Sequence, residues 1–224
     1  MLHKEYINCF LYINFQAYSF YKIDNLPYFK NQTPPANNCN GRFVDTTFTR
    51  EVAIGNDSFY GHSNSEIEYL SAEVIFNRKY EIFEEKIETM DSIQGALGNG
   101  YAIYTFAALA KYPNLIFDLF HKIDKKKGYY EIQVNYNKTT QLVIIDDLLP
   151  VYKNTGELIF SQTKSNEIWP MLLEKAWAKV RGSYKLSEKG KPMEIFKAFT
   201  DLEYKDYPIN ETLEYIDIIK KEFS

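Results

Sequence analysis

The chain has 224 residues, a net charge of -4, 45% hydrophobic and 25% charged residues. That length accommodates one good-sized domain, or one domain with an extension, and the mild acidity argues against nucleic-acid binding, which needs a basic surface. Two cysteines, Cys9 and Cys39, are too few for a disulfide framework, so a reducing, cytoplasmic setting is expected. No run approaches the ~20 apolar residues of a membrane helix, so membrane insertion is not expected. Ile7 to Phe20 is aromatic, but Asn8, Asn14, Gln16 and the nearby Glu5 speak against a signal or an anchor.

Residues 1–42 read as an aromatic-rich N-terminal extension that closes on an irregular Pro34-Pro35 and asparagine segment. Its rings can pack on this chain's own core or on a partner, and the sequence leaves both open. Gly98-Asn99-Gly100 then ends a loop, and Tyr101 to Ala110 follow as a helix apolar nearly all round, hence buried. Leu115, Ile116, Leu119, Phe120 and Ile123 predict a second helix over 114–124, closed by lysines and Gly128. Lys125-Lys126-Lys127 is read as solvated. Alternation then predicts a strand over 130–135, a second over 141–145 and a short third over 156–160. Trp169, Leu172, Leu173, Ala176, Trp177 and Val180 make one stripe of a helix over 166–181, with Glu174, Lys175 and Lys179 off the stripe. Further helices are predicted over 192–200, with Pro192 in the first turn, and over 211–222, with Asn210 as N-cap.

Several blocks resemble the calpain family of cysteine proteases. Gln94-Gly95-Ala96-Leu97-Gly98-Asn99-Gly100-Tyr101 is similar to its active-site block, Q-G-x-L-G-D-C-W. Ile144-Ile145-Asp146-Asp147-Leu148-Leu149-Pro150 resembles V-V-D-D-x-L-P, and Glu167 to Lys179 resembles E-F-W-x-x-L-L-E-K-A-Y-A-K. Phe43-Val44-Asp45-Thr46-Thr47-Phe48, Gly182-Ser183-Tyr184 and Phe196-Lys197-Ala198-Phe199-Thr200 match further blocks in the same order. The resemblance covers about 43–200. It implies an α+β fold: the mostly helical first subdomain of a calpain or papain-like cysteine protease core, with a small antiparallel sheet. The domain plan is then the 1–42 extension, a 43–207 protease-like subdomain and a 208–224 C-terminal helix.

The departures decide the expected chemistry. A papain-like protease needs a thiolate nucleophile, and the resemblance puts that cysteine where this chain has Gly100. Tyr101 stands for the following tryptophan and Asn99 for the preceding aspartate. Gln94, which the family uses in its oxyanion hole, is expected to hold the loop instead. The family's histidine and asparagine belong to a second subdomain; His3, His62 and His121 all precede the end of the matched core, so none can take that role by order. No cofactor is expected. For metal the expectation is also none, with Asp91 the one weak candidate for a calcium ligand, by resemblance to calpain cores that bind calcium beside the active-site loop. Asp146 and Asp147, adjacent on a strand, point to opposite faces and form no carboxylate pair. His62 and Asp57 lack metal spacing, and the glycines around Gly98 lack the lysine of a phosphate loop.

These features predict a non-catalytic pseudo-protease: a structural or interaction subunit of a larger cytoplasmic assembly, with cytoskeletal or ciliary axonemal assemblies suggested by analogy. Its expected partners are proteins, reached through the N-terminal aromatic extension and the face that would meet a second subdomain. The alternative is a regulatory subunit, or a half-enzyme pairing with a separate calpain-like protease chain.

Overall fold

The computed structural model describes residues 41–55, 64–84 and 86–202. The expectations for 1–40, for Asp57 and His62, and for the helix over 211–222 lie outside these residues. The fold is α+β, as the sequence implied, with helices packed against two small antiparallel sheets.

Helix α1 (Arg50–Ile54) and strand β1 (Ile67–Ser71) come first, followed by the short helix α2 (Ala72–Ile75). Helix α3 (Gly100–Leu109) is the buried apolar helix. The helix predicted over 114–124 is corrected: α4 (Pro113–Phe117) ends early, and β2 (Phe120–Asp124) follows as a strand. The apolar spacing there fits either form, and pairing with β3 (Tyr129–Tyr136) decides for the strand. An irregularity between Phe120 and Lys122 shifts the register of this edge strand. The lysine run is accordingly the β2–β3 turn, not a helix end: Gly128 takes φ 65° there, and Lys125 reaches Glu81 at 2.9 Å.

Strand β3 pairs with β4 (Thr139–Asp146) from Tyr129↔Asp146 to Tyr136↔Thr139. Their turn is only Asn137-Lys138, with φ of 51° and 64°, the left-handed pair a two-residue hairpin requires. The third predicted strand, over 156–160, is also corrected. The strand is β5 (Leu148–Tyr152), paired with β1, while the 156–160 segment gives a single bridge, Val151↔Leu158. Gly156, at φ 72°, turns the chain back too tightly for a longer ladder.

Helix α5 (Trp169–Arg181) and helix α6 (Pro192–Phe199) complete the body. The main core joins α3, α5 and α6 to the inner faces of β3 and β4, with Phe106, Tyr130, Trp169, Trp177 and Phe196 fully or almost fully buried. A second cluster links Phe48, Ile54, Ile67, Leu97, Phe160 and Tyr184, where Phe160 stacks on Tyr184 at 4.1 Å. Burying a side chain of this size contributes roughly 1.5–3 kcal/mol, so these two clusters fix how the loop before α3 sits on α5.

Candidate functional site

The loop Gln94–Asn99 is held on both sides before it enters α3. Ile93 and Gln162 exchange backbone hydrogen bonds of 2.9 and 2.8 Å, and Ala96 N–H donates to Ile159 O at 2.8 Å. A Cβ on Gly95 would lie 1.9 Å from Phe160 O, so only glycine allows this approach. Gln94 spans the loop, its Nε2 donating to Leu97 O at 2.7 Å, which is the loop-holding bond expected from the sequence.

Asn99 is the N-cap of α3 and is fully buried. Its Nδ2 donates to Glu174 Oε1 at 2.7 Å, while Glu174 Oε2 accepts from Ser161 N at 2.9 Å and Ser161 Oγ at 2.6 Å. Burial pushes the Glu174 carboxyl above its ordinary range, and the Ser161 and Asn99 donors pull it back in part. Sequence patterning placed Glu174 off the apolar stripe, yet it is a buried anchor of the site. Its place in the matched Glu167–Lys179 block was the available signal.

Gly100 opens α3 and offers no side chain. A Cβ built there would meet Gln94 Oε1 at 2.8 Å and Tyr104 Cε2 at 3.1 Å. Both are far ends of side chains, so the space is occupied by groups that could swing aside. Tyr104, half of it exposed, is a site neighbour that sequence reasoning did not single out. His121 lies exposed on β2, in another part of the fold.

Tyr101 points away from this surface into the core. It accepts a hydrogen bond from Trp177 Nε1 at 2.8 Å and donates to Ser187 O at 2.9 Å. A Cβ on Gly190 would lie 2.5 Å from Tyr101 Cζ, so the glycine makes room for the ring. The resembling pattern carries tryptophan at position 101 and tyrosine at 177; this chain carries the two exchanged, and they touch. We expect Tyr101→Trp to overpack the pocket by about 1–3 kcal/mol. Trp177→Tyr should lose about 1–3 kcal/mol through a void and a lost donor. The double variant should recover about 1 kcal/mol or more of the summed loss in urea denaturation. Strictly additive losses would refute the exchange.

Asp91 is buried in a capping box: its Oδ2 accepts from Glu88 N at 2.5 Å. Beside it lies Glu167, a second carboxylate that the sequence analysis did not name as a site residue. Glu167 Oε1 accepts from Glu84 N, and its carboxyl faces that of Asp91. Burial first, then a hydrogen bond with the Asp91 carboxyl and the charges of Asp91 and Glu84, push its pKa up to about 7 against the lowering effect of the Glu84 N–H. Calcium takes six to eight oxygen ligands. Here two carboxylates meet, each with one oxygen engaged by a backbone N–H, and no three Asp, Glu, His or Cys side chains converge among the described residues. The other ligands of a calcium shell at this place would have to be backbone carbonyls or water.

Asp146 and Asp147 diverge as expected. Asp146 pairs with Lys175, and Asp147 Oδ2 accepts from Arg42 Nη2 at 2.5 Å. Among the described residues no helix is long and apolar enough to cross a membrane.

Comparison with known proteins now places the chain. The model of the calpain family cysteine proteases matches residues 43–223, and the chain belongs to that family. It is 35% identical to calpain-12 of Mus musculus over 121 residues, which is 52% of this chain and 16% of that protein. It is 35% identical to calpain-A of Drosophila melanogaster over 129 residues, 54% of this chain and 15% of that one. To the calpain-1 catalytic subunit of Homo sapiens it is 36% identical over 115 residues, 49% and 16% of the two chains. The match therefore spans less than a fifth of the length of these relatives.

Proposed function

We propose that this chain is a non-catalytic calpain-like module that serves as a structural or protein-interaction subunit of a larger assembly. The observation that carries this is Gly100: the family resemblance assigns the nucleophile to the first residue of α3, and that residue has no side chain. A thiolate at a helix N-terminus is what the chemistry requires, and no hydroxyl of the loop takes its place. Ser92 Oγ, the nearest upstream hydroxyl, faces Ile103 O at 3.4 Å. Thr105 Oγ1 back-bonds to Tyr101 O at 2.7 Å. Meanwhile the loop and helix around Gly100 are well held: the Gln94 loop bond, the Asn99–Glu174 bond and the buried helix. A fold kept while its site is emptied points to a role for its surface. The proposed partners are proteins, in the cytoplasm, with cytoskeletal or axonemal assemblies as the setting that analogy suggests. A pairing with a separate calpain-like chain remains the alternative, and it predicts a protease in the same complex.

The test is native mass in gentle cell extract, with co-purifying proteins identified. We expect migration far above 26.3 kDa, with partners that are not proteases. A monomer overturns the assembly proposal, and a co-purifying calpain-like protease moves the alternative ahead. A second expectation concerns the site itself. Gly100→Cys should fold, because only side-chain ends crowd the position. It should alkylate with iodoacetamide faster than free cysteine at pH 7, through the helix dipole. The unmodified chain should hydrolyse no peptide substrate; hydrolysis by it would end the non-catalytic reading.

A further inference from the structure

Asn99-Gly100 is a dipeptide whose reactivity the fold controls. In an Asn-Gly pair the backbone nitrogen of the glycine can attack the side-chain amide carbon of the asparagine, because the glycine has no side chain to shield that nitrogen. The folded chain holds the two groups apart. Asn99, the N-cap of α3, has φ -99° and ψ 31°. For an L-residue that ψ turns Gly100 N to the far side of the Cα–C bond from the Asn99 side chain, so a ring between them does not close. The amide is also engaged: Nδ2, the atom that would leave as ammonia, donates to Glu174 Oε1 at 2.7 Å, and the residue is fully buried. Gly100 is buried as well, beside Gln94 Oε1 and the Tyr104 ring. The cover over the pair is thin. Ala96 and Gly98 are exposed, and Gln94 crosses the loop through its bond to Leu97 O. Asn99 Oδ1 is buried with no hydrogen-bond partner among the described residues, which raises the free energy of the closed loop and favours opening.

We propose that Asn99-Gly100 is a self-modification site that the closed loop shuts, and that local opening of the 94–100 loop lets it convert to aspartate and isoaspartate. In the open loop Gly100 N gives its proton to water and bonds to Asn99 Cγ. The Cγ–Nδ2 bond breaks and ammonia leaves, giving a cyclic imide. Water then opens the imide. Attack at Cγ leaves aspartate on the original main chain; attack at the main-chain carbonyl carbon leaves isoaspartate, with the chain rerouted through Cγ. Nothing is oxidised or reduced, and the net change is one water consumed and one ammonia released. The conversion is one-way, and its products do not restore the closed loop. Aspartate brings a carboxylate where Glu174 accepts from a donor, and isoaspartate adds a main-chain carbon at the start of α3. The site therefore limits how long a copy of the chain keeps its loop-to-helix junction. This holds whether or not the chain joins an assembly.

The experiment incubates the purified full chain at mildly alkaline pH, folded and in concentrated urea. Peptide mass spectrometry with fragmentation follows the gain of one mass unit at Asn99, and the isoaspartyl peptide is resolved by its retention time. Asn40-Gly41, whose asparagine lies outside the described residues, is the same dipeptide and serves as the internal standard in urea. There the two asparagines should convert within about 3-fold of each other, because local sequence alone then acts. In the folded chain Asn99 should convert about 10- to 1,000-fold more slowly than in urea, in proportion to the open fraction of the loop. Gln94→Ala should raise the folded rate about 10-fold by removing the loop bond, and leave the urea rate unchanged. Ser161→Ala, which frees one side of Glu174, makes the same check if Gln94→Ala does not fold. Gly100→Ala should lower the urea rate about 10-fold or more by shielding the nitrogen. A folded rate within about 10-fold of the urea rate overturns the proposal, because the fold then shuts nothing; so does an unreactive Asn99 in urea. Folded conversion slowed by more than about 1,000-fold, the scale set by opening of the whole domain, overturns the loop as its route.

Discussion

Asn99→Asp should cost the fold about 2–4 kcal/mol at neutral pH, and the loss should shrink on acidification. Asn99 is buried completely, and its amide donates to Glu174 Oε1 at 2.7 Å. The substitution replaces that donor with an acceptor, so two carboxyl groups face each other at hydrogen-bond distance in a dry site. One of them must hold a proton. Glu174 already lies above the ordinary carboxyl range because of its burial, and a second negative charge raises the pair further. In the unfolded chain both groups release their protons near pH 4. Between that pH and the raised folded value the folded state holds the extra proton, so stability falls as pH rises. Full stability belongs to the acid side, below the unfolded pKa. Urea denaturation of variant and parent at pH 4.5 and 7.5 measures the difference directly. A penalty equal at both pH values would show that the two carboxyls do not meet. Asn99→Asp combined with Glu174→Gln restores one donor and should recover most of the loss. Because the family pattern has aspartate here, the variant also asks whether the site can be rebuilt residue by residue.

Much of this arrangement could be read from the chain alone, for reasons that differ by residue. The buried character of α3 and the stripe of α5 follow from local periodicity, which a single helix expresses by itself. The ordered blocks placed Gln94, Gly100 and Tyr101 at one loop-to-helix junction, and they are there. What could not be read depends on partners distant in sequence. Phe120 to Asp124 carries helical spacing and becomes a strand because Tyr129–Ile132 pairs with it. Leu148–Tyr152, interrupted by Pro150, becomes a strand because β1 lies alongside. Glu167 and Glu174 carry the polarity of surface residues, and only the approach of Asp91 and Asn99 makes them buried site groups. Tyr104 matters solely because Gly100, one turn away, leaves its ring a neighbour without a side chain.

Lys175→Met should be the most damaging single change of all, at about 3–5 kcal/mol, out of a total of roughly 5–15 kcal/mol for a domain. Lys175 and Asp146 are paired with side chains 2% and 3% exposed. The ammonium group also donates to Leu148 O at 2.6 Å. Asp146 in turn accepts from Asp45 N at 2.7 Å and Leu148 N at 3.0 Å. Asp45 then takes Lys179 Nζ at 2.7 Å, while Thr47 N and Oγ1 bond to its other oxygen at 2.9 and 2.7 Å. One network therefore ties the 43–48 segment, the end of β4 and helix α5 together, and these are three of the blocks that carry the family resemblance. Removing the lysine leaves Asp146 charged and without its counter-ion in the core. The alternative to ionisation is protonation, which costs free energy at neutral pH as well. Asp146→Asn with Lys175→Met removes both charges, so it should be less damaging than the sum of the single changes by about 1–3 kcal/mol. The measurement is the urea midpoint at constant slope for the two singles and the double. A loss below about 1 kcal/mol for Lys175→Met would mean that the pair is solvated and that the three blocks are joined by apolar packing alone.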